Sequence, residues 1–371
     1  MEVLPGRLDP SDISPFIDQK PITDLGSGVT GVKLFFGTDR GWDATTHRPT
    51  ADRAEALSFG TILVSVPPGH KHGNIERPWE FLGLRESEQT RLHFTVQDIS
   101  KLSADAFAAQ ASRIANADGR FKGHALVFVH GYNSPFENAA FRLAQIVYDI
   151  DFDGVPILYS WPSKGANEQY VADYNASENA AWYFAQFVQR VEATAGIKQV
   201  DIICHSMGCR TVLAGLELVV NDPNNISVAS SRQGGPVREL VLASPDVDAV
   251  VFKRAIASLA SSGIGMTLYA SGKDLALKAS KLVAGGYPRA GDVDGEEPLV
   301  ATALETIDAT ELGENFHIET GLDIVHDQAL KEPVLMNDVG ILFLKRTRPP
   351  TSRTTVLKSA TSKDGVQYWR W

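Results

Sequence analysis

The sequence predicts an α/β fold in which helices cover both faces of a mostly parallel central sheet. Short runs of consecutive apolar residues alternate along the 371-residue chain with longer segments of helical periodicity. The runs are continuously apolar, which is typical of strands that are covered on both faces. Strands that alternate with helices in this way are joined by right-handed crossovers and therefore lie parallel. The clearest runs are 125–129, 155–159, 200–204, 239–243 and 266–270.

The two ends of the chain are less regular than its middle. Prolines and glycines without periodicity predict an irregular extension over residues 1–30. One domain of the predicted fold is expected over residues 31–345, and a basic tail over 346–371. The elements expected before the first long apolar run are strands at 32–36, 61–66 and 91–96, a polar loop at 40–57 and a helix at 104–115.

A strand that turns directly into a helix surrounds the most informative residue, Ser206. Residues 200–204 predict a buried strand, and helical spacing begins at Met207. A corner this sharp leaves room only for small residues, and Gly208 supplies one of them. The serine hydroxyl is then expected at the carboxyl edge of the sheet, with the Met207 N–H directed at whatever the hydroxyl attacks. This arrangement is known as a nucleophile elbow.

The usual elbow pattern, Gly-x-Ser-x-Gly, has one substitution in this chain. Cys204 occupies the position of the first glycine, and its small side chain still permits the turn. The other cysteine of the chain is Cys209, three residues after Ser206. A disulfide between the end of a strand and the first turn of the next helix is geometrically awkward. We therefore expect both cysteines to be reduced and buried.

A second strand end carries the sequence His130-Gly131-Tyr132-Asn133-Ser134. A His-Gly pair at the end of an inner strand places a backbone N–H near the nucleophile, because inner strands of a parallel sheet end at the same edge. The backbone N–H groups of Tyr132 and Met207 therefore predict an oxyanion hole. The expected substrate pocket is formed by His130, Gly131 and Trp161, although Trp161 fits a packing role equally well.

Composition narrows the classes of partner. The net charge is −10 and the pI is about 5.4, whereas non-specific nucleic-acid binding needs a basic surface. No apolar run approaches the roughly 20 residues that span a bilayer. No signal peptide is visible at residues 1–16, so we expect a cytoplasmic protein, although a trimmed secretion signal would leave the same sequence. His70 and His72 lack a nearby third ligand, so no metal site is predicted.

Six segments together resemble the DUF900 group of bacterial α/β-hydrolases. They are Phe35–Arg40, Val64–Pro67, Phe128–Asn133, Ser160–Ser163, His205–Gly208 and Pro245–Asp248. The similarity extends over about residues 32–345, which favours one domain over two. The resemblance implies the α/β-hydrolase fold and Ser-His-Asp hydrolase chemistry on esters, without fixing a substrate.

A serine nucleophile needs a histidine base and an acid that orients it, and in this fold the chain order is Ser, Asp or Glu, His. Asp274 fits the acid because it follows the second strand after the elbow strand. Asp246 and Asp248, one strand earlier, are the alternatives. His326, shortly before the last predicted helix at 334–344, is the expected base. His317 is the competing base.

The sequence thus predicts a serine carboxylesterase that cleaves small-molecule esters of small or medium acyl chains. Ser206, Asp274 and His326 would form its catalytic triad, and the reaction requires no cofactor. A thioesterase, an amidase or a lipase of the same fold is the nearest alternative. A hydrolase-fold binding protein without turnover is the alternative from another class. The sequence does not predict the oligomeric state.

Overall fold

A computed structural model describes residues 20–81, 84–164, 170–222, 235–283, 285–295, 297–312 and 328–371. Its strands are β1 (Ile22–Asp24), β2 (Thr30–Asp43), β3 (Arg48–Val66), β4 (Glu80–Phe81), β5 (Leu84–Arg85), β6 (Thr95–Leu102), β7 (His124–Val129), β8 (Val155–Ser160), β9 (Gln199–His205), β10 (Val237–Ala243), β11 (Gly265–Ala270), β12 (Val293–Asp294), β13 (Glu297–Pro298), β14 (Leu304–Asp308), β15 (Lys358–Thr361) and β16 (Gln367–Arg370).

Helices connect most of the central strands. They are α1 (Ala104–Asn116), α2 (Phe136–Asp149), α3 (Tyr170–Glu192), α4 (Gly208–Asn221), α5 (Ala249–Leu259), α6 (Leu275–Val283), α7 (Gln328–Lys331) and α8 (Pro333–Lys345). None of these helices is long and apolar enough to cross a membrane.

Twelve of the strands form one sheet in the order β15-β16-β14-β11-β10-β9-β7-β8-β2-β3-β6, with β1 paired to β2. Every neighbouring pair from β2 to β16 is parallel. Antiparallel pairs lie at the two ends of the sheet and at β1. The predicted α/β fold with a mostly parallel sheet is therefore confirmed.

Two apolar cores cover the two faces of the sheet. Along β7, Ala125, Val127 and Val129 face a core that also contains residues of α1, α3, α4 and α5. Leu126 and Phe128 face the other core, with residues of α2 and α8. This double coverage explains why β7 is a continuous apolar run, since a strand buried on one face only would alternate.

Three predicted elements differ from the structure. The expected loop at 40–57 is mostly strand, because β2 and β3 continue into an antiparallel hairpin whose solvent-facing residues read as polar. The strand expected at 91–96 is replaced by β6, which begins only at Thr95. After α8, residues 358–370 add two strands to the sheet, and Trp369 is buried against it.

Candidate active site at the carboxyl edge of the sheet

Ser206 occupies the corner between β9 and α4 in a strained backbone conformation. Its φ is 51°, in the left-handed region that non-glycine residues rarely adopt. The Ser206 N–H donates to the carbonyl of Ala243 on β10, at 3.0 Å, which fixes the corner to the neighbouring strand. Strain of this kind persists where surrounding bonds determine it, and it is concentrated at functional sites.

Gly208 allows helix α4 to approach the end of β7. A Cβ atom at this position would lie 2.2 Å from the carbonyl oxygen of His130 and 2.9 Å from that of Val129. No side chain fits at those distances, so the small residue expected after the serine is required by the backbone itself. At the start of α4 the N–H groups of Cys209 and Arg210 donate to the carbonyls of Ser206 and Met207, whereas the N–H groups of Met207 and Gly208 precede the intrahelical hydrogen bonds.

Gly131 brings the neighbouring strand end into direct contact with Ser206. A Cβ atom at Gly131 would lie 2.8 Å from Cβ of Ser206 and 2.9 Å from Nδ1 of His205. The predicted juxtaposition of the His-Gly turn and the serine is therefore present. We call residues 130–134 the oxyanion turn, after the role that the sequence predicts for the N–H of Tyr132 at its centre.

Cys204 and Cys209 form a disulfide, with Cα atoms 4.9 Å apart. The prediction of two reduced cysteines is wrong for this structure. The separation lies within the normal range for disulfides because the tight corner returns the first turn of α4 towards the end of β9. The bond therefore spans the segment that carries Ser206.

His130 is held as a neutral framework residue. Its Nδ1 lies 2.7 Å from the Gly131 carbonyl oxygen and its Nε2 lies 3.0 Å from Oγ of Ser160. Burial, together with the charge of Arg40, lowers the pKa of His130 to about 3. Trp161 stacks on the imidazole ring and donates its indole N–H to the His130 carbonyl, at 2.8 Å. The side chains of His130 and Trp161 are both buried.

Asp173 on α3 holds the far end of the oxyanion turn. Its carboxylate accepts hydrogen bonds from the Asn133 N–H at 3.2 Å and from the Ser163 hydroxyl at 2.6 Å. The Ser134 N–H donates in turn to Oγ of Ser163, at 3.1 Å. Sequence reasoning missed Asp173, because no motif distinguishes it from other acidic residues of a long helix.

The alternative acid Asp246 is already fully engaged. It accepts hydrogen bonds from Ser280 Oγ at 2.6 Å and from the Tyr170 hydroxyl at 2.9 Å. The Arg289 guanidinium lies 3.2 Å from Oδ1 of Asp246, as a charge contact without hydrogen-bond alignment. Asp248 caps helix α5 by accepting from the Val250 and Val251 N–H groups.

Asp274 lies at the carboxyl edge, between β11 and α6. It is 1% exposed, and its Oδ1 accepts a hydrogen bond from the Leu277 N–H at 3.0 Å. β10 alone separates β11 from β9, so their ends lie about 10 Å apart. Strand ends at this spacing leave room for an imidazole between groups that follow them.

The two candidate bases, His317 and His326, lie outside the described residues. The chain has nine histidines, and the other seven are described. The Ser206 hydroxyl is buried and has no hydrogen-bond partner within the described part of the chain. None of those seven histidines is therefore bonded to the serine.

His70 and His72 lie away from Ser206, on the loop after β3. This loop is at the opposite edge of the sheet, since β3 runs antiparallel to β2. His70 is held between two carboxylates, with Nδ1 2.9 Å from Glu76 and Nε2 2.9 Å from Asp149. Its contacts are those of a structural ion pair, and the described residues include no group of three or more potential metal ligands of His, Cys, Asp or Glu type.

A cleft of about 690 Å³ lies beside the Asp274 loop. Its walls come from Gly272, from α6 and from the ends of β14 and β16. Ser206 and Gly131 are not among its lining residues. The cleft therefore does not include the Ser206 corner.

The parallel sheet and the serine elbow define an α/β hydrolase fold. The family profile described as alpha/beta hydrolase of unknown function (DUF900) matches residues 105–346, more than half of the chain. The chain belongs to this family.

Solved structures with a similar chain path include two proteins of low sequence identity. The product of the gene lin2722 from Listeria innocua is 11% identical, with a TM-score of 0.35 over 61% of this chain and 95% of that one. A predicted CIB-like hydrolase from Thermoplasma acidophilum is 14% identical, with a TM-score of 0.29 over 60% of this chain and 87% of that one. The comparison with curated proteins found no match.

Proposed function

We propose that this protein is a serine hydrolase that cleaves carboxylic esters of small or medium acyl chains through an acyl-enzyme on Ser206. The observation that carries the proposal is the strained Ser206 corner with the oxyanion turn packed directly against it. In a nucleophile elbow the serine presents its hydroxyl to the acyl carbon, and backbone N–H groups face the carbonyl oxygen.

The reaction proceeds in two acyl transfers. Ser206 Oγ attacks the ester carbonyl while His326 takes the hydroxyl proton, and the N–H groups of Met207 and Tyr132 bind the oxyanion. Collapse of the tetrahedral intermediate breaks the ester bond, and His326 returns the proton to the departing alcohol. Water then attacks the acyl-enzyme by the same route and releases the acid.

The choice of base follows from the described histidines. Burial and the charge of Arg40 keep His130 neutral, and His205 precedes the serine on the strand, with its ring against Gly131. His326 precedes α7 and α8 and is preferred to His317, as the sequence predicts. Asp274 is the proposed acid because of its place after the second strand beyond the elbow strand, as the sequence predicts. Asp246 accepts two hydrogen bonds and contacts Arg289.

Hydrolysis of p-nitrophenyl esters from acetate to palmitate tests the proposal. The wild type is compared with Ser206→Ala, His326→Ala and His317→Ala, and each protein is also treated with a fluorophosphonate. We expect the wild type and His317→Ala to hydrolyse the esters of shorter acyl chains. Ser206→Ala and His326→Ala should lack this activity. Labelling should be stoichiometric and absent in Ser206→Ala.

Two results would contradict the proposal. Activity that survives in Ser206→Ala would remove the nucleophile. A wild-type protein that neither hydrolyses any ester nor reacts with the fluorophosphonate would favour a binding protein. Loss of activity in His317→Ala in place of His326→Ala would reassign the base and leave the rest of the mechanism in place.

A further inference from the structure

Arg40 is a buried arginine that joins the loops around the proposed active site. It lies near the end of β2 and is 2% exposed. Its Nε donates to Ser160 Oγ at 2.8 Å, and its Nη1 donates to the Ser163 carbonyl at 3.1 Å. Its Nη2 donates to the Ser134 carbonyl at 2.8 Å. One guanidinium thus connects the loop after β8 with the last residue of the oxyanion turn.

The same side chain also fixes the first residue of the turn. Ser160 Oγ accepts from Arg40, so its own proton is directed at Nε2 of His130. Nδ1 of His130 then carries the ring proton and donates it to the Gly131 carbonyl. This tautomer is assigned from the hydrogen-bond partners. Arg40 therefore acts on the turn at both ends.

The partners of Arg40 are unusual for a buried charge. Among the residues that the structure describes, no carboxylate forms an ion pair with its guanidinium. Its partners are backbone carbonyls, the Ser160 hydroxyl and Nε2 of His130, which lies 3.4 Å from Nη2. Burial lowers the pKa of Arg40 to about 10, although the charges of Asp39 and Asp173 oppose this effect. A buried cation whose hydrogen bonds all go to neutral groups is costly, which argues for a role other than stability.

We propose that Arg40 is a positioning residue that holds the oxyanion turn at the distance from Ser206 that transition-state binding requires. The inference rests on the proposed function, since it assigns Arg40 to the oxyanion hole of that reaction. In this role Arg40 does not contact the substrate. It acts through Ser134, Ser160 and His130, whose positions place the Tyr132 N–H.

The test compares Arg40→Lys with Arg353→Lys. Arg353 is another buried arginine, between α8 and β15, and it is bonded to Asp338. In Arg40→Lys we expect kcat on p-nitrophenyl acetate to fall about 100-fold with KM changed less than threefold, because small displacements of transition-state donors affect chemistry more than binding. Arg353→Lys should lower Tm and leave kcat per folded molecule unchanged. Ser160→Ala, a milder change, should lower kcat about tenfold.

Hydrogen–deuterium exchange of residues 130–134 measures the positioning without relying on activity. We expect faster exchange in Arg40→Lys and Ser160→Ala than in the wild type and in Arg353→Lys. Unchanged exchange in both variants would overturn the inference. So would equal losses of kcat per folded molecule in Arg40→Lys and Arg353→Lys. If instead the wild type itself neither reacts with the fluorophosphonate nor hydrolyses esters, the esterase proposal fails, and the exchange result still decides whether Arg40 holds the turn.

Discussion

Two buried arginines in this molecule have opposite surroundings. Arg353 follows α8 and contacts carboxylates, with Nε 3.0 Å from Asp338 and Nη1 3.1 Å from Glu305. Burial disfavours its charge, but the hydrogen bonds and the charge of Asp338 raise the pKa of Arg353. Arg40 contacts carbonyls, a hydroxyl and the His130 imidazole, and burial lowers its pKa.

The two surroundings indicate two different roles, stability for Arg353 and positioning for Arg40. Arg353 belongs to a group that we call the C-terminal clasp: Arg346, Arg348 and Arg353 with Glu239, Glu305 and Asp338. There, opposite charges pair and fix the end of the chain to the sheet. Arg40, in contrast, donates most of its hydrogen bonds to backbone carbonyls of loops. It therefore determines the geometry of those loops. Arginine burial alone therefore does not reveal its role.

The largest expected effect is a loss of catalytic rate without a loss of folded protein. Ser206→Ala should lower kcat by about 10⁴-fold or more, because the nucleophile is lost. The free energy of unfolding should rise by about 1 kcal/mol or more, since the substitution removes a buried hydroxyl that has no partner among the described residues. Urea unfolding and ester hydrolysis on the same preparations measure both. A large loss of stability would show that the hydroxyl holds the fold.

Arg353→Met is expected to produce the reverse pattern. It leaves Asp338 without its cation, while Glu305 keeps Arg348. Breaking a buried pair costs about 3–5 kcal/mol of the free energy of unfolding. The kcat per folded molecule should stay within twofold of the wild type. Urea titration with active-site counting by fluorophosphonate measures both quantities. A loss of kcat that exceeds the loss of folded protein would connect the C-terminal clasp to catalysis.

Gly131→Ala sharpens the definition of the oxyanion turn. The added methyl group would lie 2.8 Å from Cβ of Ser206, so either the turn or the serine must move. We expect kcat to fall about 100-fold, with a smaller effect on KM. Gly69→Ala is the matched control, since a Cβ there meets no atom within 4 Å. Equal activity of the two variants would contradict the contact between the turn and the nucleophile.

His70→Gln has the smallest expected effect and tests a charge contact that depends on pH. Burial opposes the imidazolium, but hydrogen bonds to Asp149 and Glu76 prevail and raise the pKa of His70 to about 9. The unfolded pKa is about 6.5, so the folded state binds the extra proton between these values. The stabilisation is complete below about pH 6.5 and is lost as the pH rises through 9.

We therefore expect wild-type stability to fall by roughly 2 kcal/mol between about pH 6.5 and pH 9, and the fall to be much smaller in His70→Gln. Urea unfolding across that range provides the measurement, with the exposed His47→Asn as control. Parallel pH profiles of the wild type and His70→Gln would show that His70 is not charged in the folded protein.

Much of the fold was predictable because the central strands are buried on both faces. The apolar runs of β7, β9, β10 and β11 match the structure within one or two residues, since nothing else in a globular chain produces such runs so regularly. The hairpin extension of β2 and β3 was missed because its polar residues resemble a loop. The strands β15 and β16 were also missed, since their short sequences carry no apolar run.

The site was predictable only where local geometry restricts residue type. Gly208 and Gly131 could be predicted from the sequence because the backbone admits no side chain at those positions. The role of Arg40 depends on contacts with residues about 90 to 120 positions away, such as Ser134 and Ser160, and local sequence does not encode them. The disulfide was mispredicted for a related reason, since the Cα separation of Cys204 and Cys209 depends on how tightly the corner closes.

The short strand β16 has a consequence for how the molecule behaves among its copies. It lies parallel to β14 through the pairs Ile307–Trp369 and Asp308–Arg370, and β15 lies outside it. An uncovered edge of β14 would offer free backbone donors and acceptors to a strand of another chain. The final segment therefore acts as a guard against self-association, and a chain cut before Lys358 is expected to form aggregates at concentrations where the full chain stays dispersed.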